Sequence, residues 1–294
     1  MPPPEVSVVV PNFNHARYLE RRLDSVLAQS CRDIEVIILD DRSTDDSRRL
    51  IERYRDHPLV RHVVFNDVNT GSPFRQWERG IGLAAGRWIW LAESDDFCEP
   101  DLLESLLAET RRHPDVGIAF CRSEWVDADG VAGEDLSLFR DDRFVEGTDA
   151  VKEMLFHCTV HNASSAIIRR DLAARAVRGL GRYRACGDWI FYVRVLQRAN
   201  LAFTNRRLNS FRWYHANVSS RARKRLWVTE GVRVLDEVSF HRVRHTEPEF
   251  RRLRAHWIGQ IAGVGPVDRL AAWTSIASAA IRHRVATLLA GRAG

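Results

Sequence analysis

Gly86-Arg87-Trp88-Ile89-Trp90-Leu91-Ala92-Glu93-Ser94-Asp95-Asp96 decides the fold. A short apolar run ends abruptly in acids. A strand buried on both faces of a sheet reads this way, and open α/β sheets bind ligands beyond the carboxyl ends of such strands. The same pattern occurs twice upstream. Val6-Ser7-Val8-Val9-Val10 ends at Pro11-Asn12-Phe13-Asn14, and Ile34 to Leu39 ends at Asp40-Asp41. Residues 16–29 carry Tyr18, Leu19, Leu23, Val26 and Leu27 at helical spacing. Ser43, Thr44 and Asp45 offer a cap for a helix bearing Leu50, Ile51 and Tyr54. Val60 to Phe65 forms another strand, and residues 73–85 another helix. Strands alternating with helices predict parallel βαβ units.

Beyond residue 113 the pattern is mixed. Val116–Cys121, Ser164–Ile168 and Leu208–Tyr214 read as strands, residues 147–157 and 187–199 as helices, and the chain from Arg221 onward as helical and basic. With 294 residues, 45% hydrophobic and 28% charged, the chain has material for a full α/β core. The five cysteines are scattered without a C-x-x-C pair, which argues against a disulfide framework or zinc site. No apolar run is long enough to span a membrane. The start, Met1-Pro2-Pro3-Pro4-Glu5, lacks the basic and apolar regions of a signal peptide. These features predict a soluble, cytoplasmic protein.

The net charge of +5 hides an asymmetry, because residues 201–294 hold 17 Lys/Arg against 6 Asp/Glu. A basic C-terminal third suits an anionic surface or a diphosphate. Residues 267–290 place Leu270, Trp273, Ala277, Ile281, Val285 and Leu288 on one helical stripe flanked by arginines. That stripe suits packing against another helix, an anionic membrane surface, or a second copy in a homodimer. Nucleic acid is not expected as a partner, since no aromatic residues interleave with the basic tail in a recognisable motif.

A lone acid at a strand–helix junction commonly caps the helix. Two Asp-Asp pairs at two strand ends of one sheet repel each other unless a cation or donors compensate them. At this point the chain resembles the inverting glycosyltransferases of family 2, with the GT-A nucleotide-diphospho-sugar fold. The motifs are Val6–Asn14, Leu39-Asp40-Asp41-Arg42-Ser43-Thr44-Asp45, and Gly86–Asp96, in this order and at these spacings. The resemblance is close over residues 5–120 and looser over 120–215.

It implies an α/β, Rossmann-like, mixed but mostly parallel sheet flanked by helices, with a basic helical C-terminal extension. Residues 1–218 would form the GT-A domain, divided into a nucleotide-binding half (1–120) and an acceptor-binding half (121–218), with 219–294 as the extension. Pro11, Asn12, Phe13, Asn14, Asp40, Asp41, Ser94 and Asp95 would bind the nucleotide, Asp41 accepting from the base. Asp95 and Asp96 would hold Mn²⁺ or Mg²⁺, Asp96 more directly. Cys186-Gly187-Asp188-Trp189 matches the place of the family's general base, which makes Asp188 the candidate. Its neutral alternative is capping the following helix.

Arg212 and His215 would meet the diphosphate, and His161, Asn162 and Trp189 would border the acceptor. Two departures stand out. Trp77-Glu78 replaces an Arg-Asn pair common in relatives, and Glu93 stands where Asp is usual. The resemblance implies a nucleotide-diphospho-sugar donor, UDP- or dTDP-linked by preference, and a saccharide or lipid-linked glycan acceptor. Bacterial surface polysaccharide such as lipopolysaccharide is the expected product, made at the inner face of the cell membrane. The strand ends lack the glycine-rich loops of nucleotidyltransferases and dinucleotide-binding oxidoreductases. The remaining alternative is a non-catalytic glycan- or nucleotide-binding module derived from this fold.

Overall fold

The structure, a computed structural model, describes residues 3–133, 138–213 and 224–290. Strands β1 (Val6–Asn12), β2 (Ile34–Asp40), β3 (Val60–Phe65) and β4 (Trp88–Leu91) lie parallel in the order β3-β2-β1-β4. Every residue of β1 and β4 is buried, as unbroken apolar runs require when helices cover both faces. The crossovers are α1 (Ala16–Leu27), α2 (Ser47–Glu52) and α3 (Pro73–Leu83). Helix α3 sits closely on β1 because residue 80 is glycine. A Cβ there would lie 2.3 Å from a methyl of Val9.

The rest of the sheet is mixed. Strand β8 (Ala166–Arg169) pairs with β4, and β6 (Val116–Val126) pairs with β8. Strand β9 (Asn200–Arg212) runs parallel to β6 and carries the short strands β5 (Phe97–Cys98) and β7 (Arg143–Val145). Among the described residues nine strands form one mixed sheet, in which only the β3-β2-β1-β4 half is parallel throughout. Helices α4 (Leu102–Arg112), α5 (Gly147–Met154), α6 (Arg170–Ala176) and α7 (Gly187–Leu196) complete this part.

Strand β9 starts eight residues before the expected Leu208. The polar Asn205-Arg206-Arg207 segment breaks the apolar pattern, and there the β6–β9 register shifts. Such an irregularity lets extra residues bulge outward without ending the ladder.

Helices α8 (Lys224–Gly231), α9 (Val234–Glu237), α10 (Glu247–Ala262) and α11 (Pro266–Ala290) follow. A Thr246/Glu249 capping box starts α10. Val228, Leu235, Phe250, Trp257 and Ile276 join the same contiguous core as Val9, Trp77 and Phe191. The apolar stripe of α11 does not pack inward. Its buried side is Ala272, Ser275, Ile276, Ala279, His283 and Ala286, while Leu270, Ile281 and Leu288 remain 71%, 66% and 61% exposed. Small residues win the inner face because they let α11 approach its neighbours closely. Among the described residues, no helix is long and apolar enough to cross a membrane.

Candidate active site

The ends of β1 and β2 are tied to each other first. Asp40, fully buried, accepts from Asn12 Nδ2 at 3.0 Å, Ser43 N at 3.0 Å and Arg48 Nε at 2.8 Å. The Asn12 amide and Asp40 thus tie the strand ends to the turn, while the buried Asn12 Oδ1 has no hydrogen-bond partner among the described residues. Asn14 takes a left-handed conformation (φ 56°), and its Oδ1 accepts from Thr44 N at 2.7 Å. Asn tolerates that region better than most residues. Pro11 is buried, whereas Phe13 projects outward, 44% exposed, as the one large apolar surface at this strand end.

Asp41 is 4% exposed and surrounded by donors from the loop after β3 and from α3. Asn66 Nδ2 (2.7 Å), Thr70 N (2.9 Å) and Gln76 Nε2 (2.9 Å) reach Oδ1, and Thr70 Oγ (2.8 Å) reaches Oδ2. Arg79 hydrogen-bonds Asn66 Oδ1 behind this set. A carboxylate with about four lone-pair sites is therefore filled from within. A base could gain access only where the rotatable Thr70 hydroxyl turns away.

At the end of β4 the two aspartates divide. Asp96 is 1% exposed, accepts from Asn162 Nδ2 at 2.9 Å and Arg212 N at 2.9 Å, and lies 3.9 Å from a guanidinium nitrogen of Arg22. Asp95 is only partly buried. Asp95 is the more exposed of the two carboxylates, and these bonds hold Asp96 in the floor of the strand end. Burial, together with the Asp95 charge, pushes the Asp96 carboxyl up to about 6. Ser94, also buried, shares a 2.8 Å hydrogen bond with His15 Nδ1.

Glu93 accepts from the Trp77 indole at 2.7 Å, and burial plus the Asp95 charge pushes its carboxyl up to about 8. The two departures from the family pattern are thus hydrogen-bonded partners. An indole N–H, donor only, needs an acceptor of Glu's length here. For a divalent cation the donor chemistry fits: Mg²⁺ and Mn²⁺ sites commonly use one or two carboxylates and take further oxygens from substrate phosphates and water. Among the described residues no three His, Cys, Asp or Glu side chains converge into an all-protein cage.

Arg212 is 3% exposed, and its guanidinium is committed to backbone carbonyls: Asp95 O (2.8 Å), Asp127 O (2.9 Å) and Ala128 O (2.8 Å). It stacks over the Tyr18 ring at 4.5 Å. These bonds join β9 to the acidic strand end. His215 lies outside the described residues.

Asp188 occupies the first turn of α7, partly buried, with Oδ1 accepting from Trp189 N at 2.8 Å. Cys186, not Asp188, holds the cap position. Burial pushes the Asp188 carboxyl up to about 6, against the pull of the Trp189 N–H, which places it where a general base works near neutral pH. The buried Tyr192 lies one turn along α7, and burial, with the Asp188 charge next, raises its hydroxyl well above the usual value.

The expected acceptor residues separate. His161 is exposed, edge-on to Trp125 at 6.3 Å. Asn162 is 6% exposed, with its amide shared between Asp96 and Asn209. Trp189 is a core residue, 6% exposed, bonded to Met154 O at 2.6 Å.

Sequence reasoning missed Arg22, fully buried, which donates to Glu93 O at 2.8 Å. The signal was present: Leu19, Arg22, Leu23 and Val26 share one helix face, and an arginine on an apolar stripe needs a buried acceptor.

Comparison with known proteins follows this geometry. The model of the family described as "Glycosyl transferase family 2" matches residues 7–173. Chondroitin synthase from Escherichia coli is 35% identical over 128 residues, 43% of this chain and 18% of that protein. The putative teichuronic acid biosynthesis glycosyltransferase TuaG of Bacillus subtilis is 36% identical over 104 residues, 35% of this chain and 41% of that protein. The chain thus spans less than half the length of these relatives. Staphylococcus aureus TarS 1–349, solved with UDP-GlcNAc, superposes with TM-score 0.72 at 16% identity, covering 94% of this chain and 80% of that one. The Pyrobaculum calidifontis mannosyltransferase PcManGT, solved with GDP-Man and Mn²⁺, gives 0.60 at 17% identity, covering 99% and 80%. With its fold shared by these structures and more than half its length matched by the family model, the chain belongs to glycosyl transferase family 2.

Proposed function

We propose that the protein is an inverting glycosyltransferase that moves a sugar from a UDP- or dTDP-linked donor to a hydroxyl of a saccharide or lipid-linked acceptor in bacterial surface polysaccharide synthesis. The observation that carries this reading is Asp188: a carboxylate in the first turn of α7, raised to about 6 by burial, at the place where the family pattern puts its general base. Relatives named for chondroitin and teichuronic acid synthesis support the polysaccharide class.

In this mechanism Phe13 offers its exposed face to the base, and Asp41 holds the loop around Thr70 that closes the pocket. Asp95, backed by Asp96, would hold a divalent cation, which supplies charge stabilisation for the departing diphosphate. Asp188 takes the proton of the acceptor hydroxyl as its oxygen attacks the anomeric carbon. The carbon–oxygen bond to the diphosphate breaks in the same displacement, so the configuration inverts.

Release of nucleoside diphosphate from UDP-, dTDP- and GDP-sugars in Mn²⁺, with simple saccharides as acceptors, tests the reading. UDP- or dTDP-sugars are expected to turn over. Silence with every donor, alongside intact folding, would favour the non-catalytic module.

The exposed apolar stripe of α11, flanked by Arg269 and Arg284, supports a peripheral seat on an anionic membrane. Binding to anionic vesicles, absent with neutral ones and weakened by Ile281→Glu, is the expected result. A salt-resistant dimer split by the same substitution would instead make the stripe a contact between copies.

A further inference from the structure

The loop that leads into the base is held by a residue from the far C-terminal helices. Glu230 on α8 is 8% exposed. Its Oε2 accepts from Arg184 N at 3.1 Å, Ala185 N at 2.8 Å and Cys186 N at 3.0 Å, and its Oε1 from Arg184 N at 2.9 Å. Three successive backbone N–H groups form a concave nest for an anion, and here the chain's own carboxylate fills it.

The neighbouring contacts leave little slack. On the other side, a Cβ on Gly187 would lie 2.5 Å from the Phe74 ring. From α8, Trp227 O lies 3.7 Å from Cys186 Sγ, and a Cβ on Gly231 would meet the Trp189 ring at 3.0 Å. Helix α7 therefore starts in a slot whose walls are α3 and α8, and Asp188 sits at its mouth.

We propose that Glu230 is a positioning residue for Asp188, so that the C-terminal helices are part of the catalytic apparatus. The nest ends at Cys186, two residues before the base. A hydrogen-bonded loop of this length transmits any displacement directly to the carboxylate. Among the described residues, the bonds that shape the donor side on β1, β2 and β4 do not involve Glu230, so that side keeps its geometry when Glu230 changes. The effect belongs to kcat alone.

The inference rests on Asp188 acting as the base, so Asp188→Asn is measured beside the Glu230 variants in the full chain. Glu230→Met keeps the volume and removes the acceptors. It is expected to lower kcat about 10- to 100-fold, the scale of a misplaced catalytic group. KM for the donor sugar and the dissociation constant of UDP with Mn²⁺ are expected to stay within about three-fold. Glu230→Gln, which can present its oxygen where Oε2 now accepts three bonds, is expected to restore most of kcat.

Unchanged kcat in Glu230→Met overturns the proposal. So does a parallel loss of UDP affinity, which would make Glu230 a support of the whole fold. A Gln variant as slow as the Met variant overturns it too, since charge rather than the acceptors would then be acting. If Glu230→Met does not fold, Glu230→Asp, one methylene shorter, is read by the same split between kcat and nucleotide affinity. If Asp188→Asn leaves turnover intact, the base assignment falls first. If Asp188→Asn abolishes turnover while the Glu230 variants remain normal, only the role of Glu230 falls.

Discussion

Asp188→Asn is expected to lower kcat by about 10²- to 10⁴-fold, the range of general-base catalysis, while UDP binds as before. Asn keeps an oxygen for the Trp189 N–H that Asp188 Oδ1 now accepts, so the start of α7 is preserved and only proton acceptance is lost. The same assignment fixes the acid side of the pH profile. Asp188 must be ionised to take a proton, and its carboxyl is raised to about 6. The wild-type rate with saturating metal is expected to be level above that point and to fall about ten-fold per pH unit below it. Asp188→Asn should abolish this limb and leave a slow, flat residue of activity. A variant that turns over at the wild-type rate would return Asp188 to its alternative as a helix-start residue.

Asp95→Ala has the second largest expected effect: UDP binding in Mn²⁺ drops to its level in EDTA. The partner substitution Asp96→Ala should behave differently. Asp96 is a floor residue that anchors Arg212 N and Asn162 and faces the buried Arg22. Removing it leaves a buried guanidinium without its nearest charge partner, a change that costs about 3–5 kcal/mol in comparable buried pairs. Urea denaturation separates the two cases. Asp95→Ala should unfold close to the wild-type midpoint and Asp96→Ala well below it. Equal instability would mean that Asp95 is structural as well.

The parallel half of the fold was legible because its information is local. Val6–Val10, Ile34–Leu39 and Trp88–Leu91 are apolar runs, each followed by polar residues that cannot continue a buried strand, and all three lie parallel. The mixed half was harder to read. Its strand β9 carries Asn205-Arg206-Arg207 in mid-course, and only pairing with β6 reveals that the ladder continues through them. Sequence motifs also placed residues at the site without dividing labour among them. Asp40 and Asp41, adjacent in sequence, serve different loops: Asp40 ties β1 to the turn after β2, and Asp41 gathers the loop around Thr70.

Two kinds of site residue escaped local reading. Glu230 lies 42 positions beyond Asp188 in a helix that looks merely basic and amphipathic, and its role exists only through the packing of α8 against α7. Arg212 has a structural use that local reading did not show, since its guanidinium bonds the carbonyls of Asp95, Asp127 and Ala128. The pairing of Trp77 with Glu93 likewise links two departures from the family pattern that lie 16 residues apart in sequence.

The central claim is that the acidic end of β4 holds a nucleoside diphosphate through a divalent cation. Calorimetric titration of UDP into the wild-type protein, once in Mn²⁺ and once in EDTA, tests it most directly. The expected result is binding that requires Mn²⁺ and disappears in Asp95→Ala. Equal binding in Mn²⁺ and EDTA, or binding indifferent to Asp95, would contradict it.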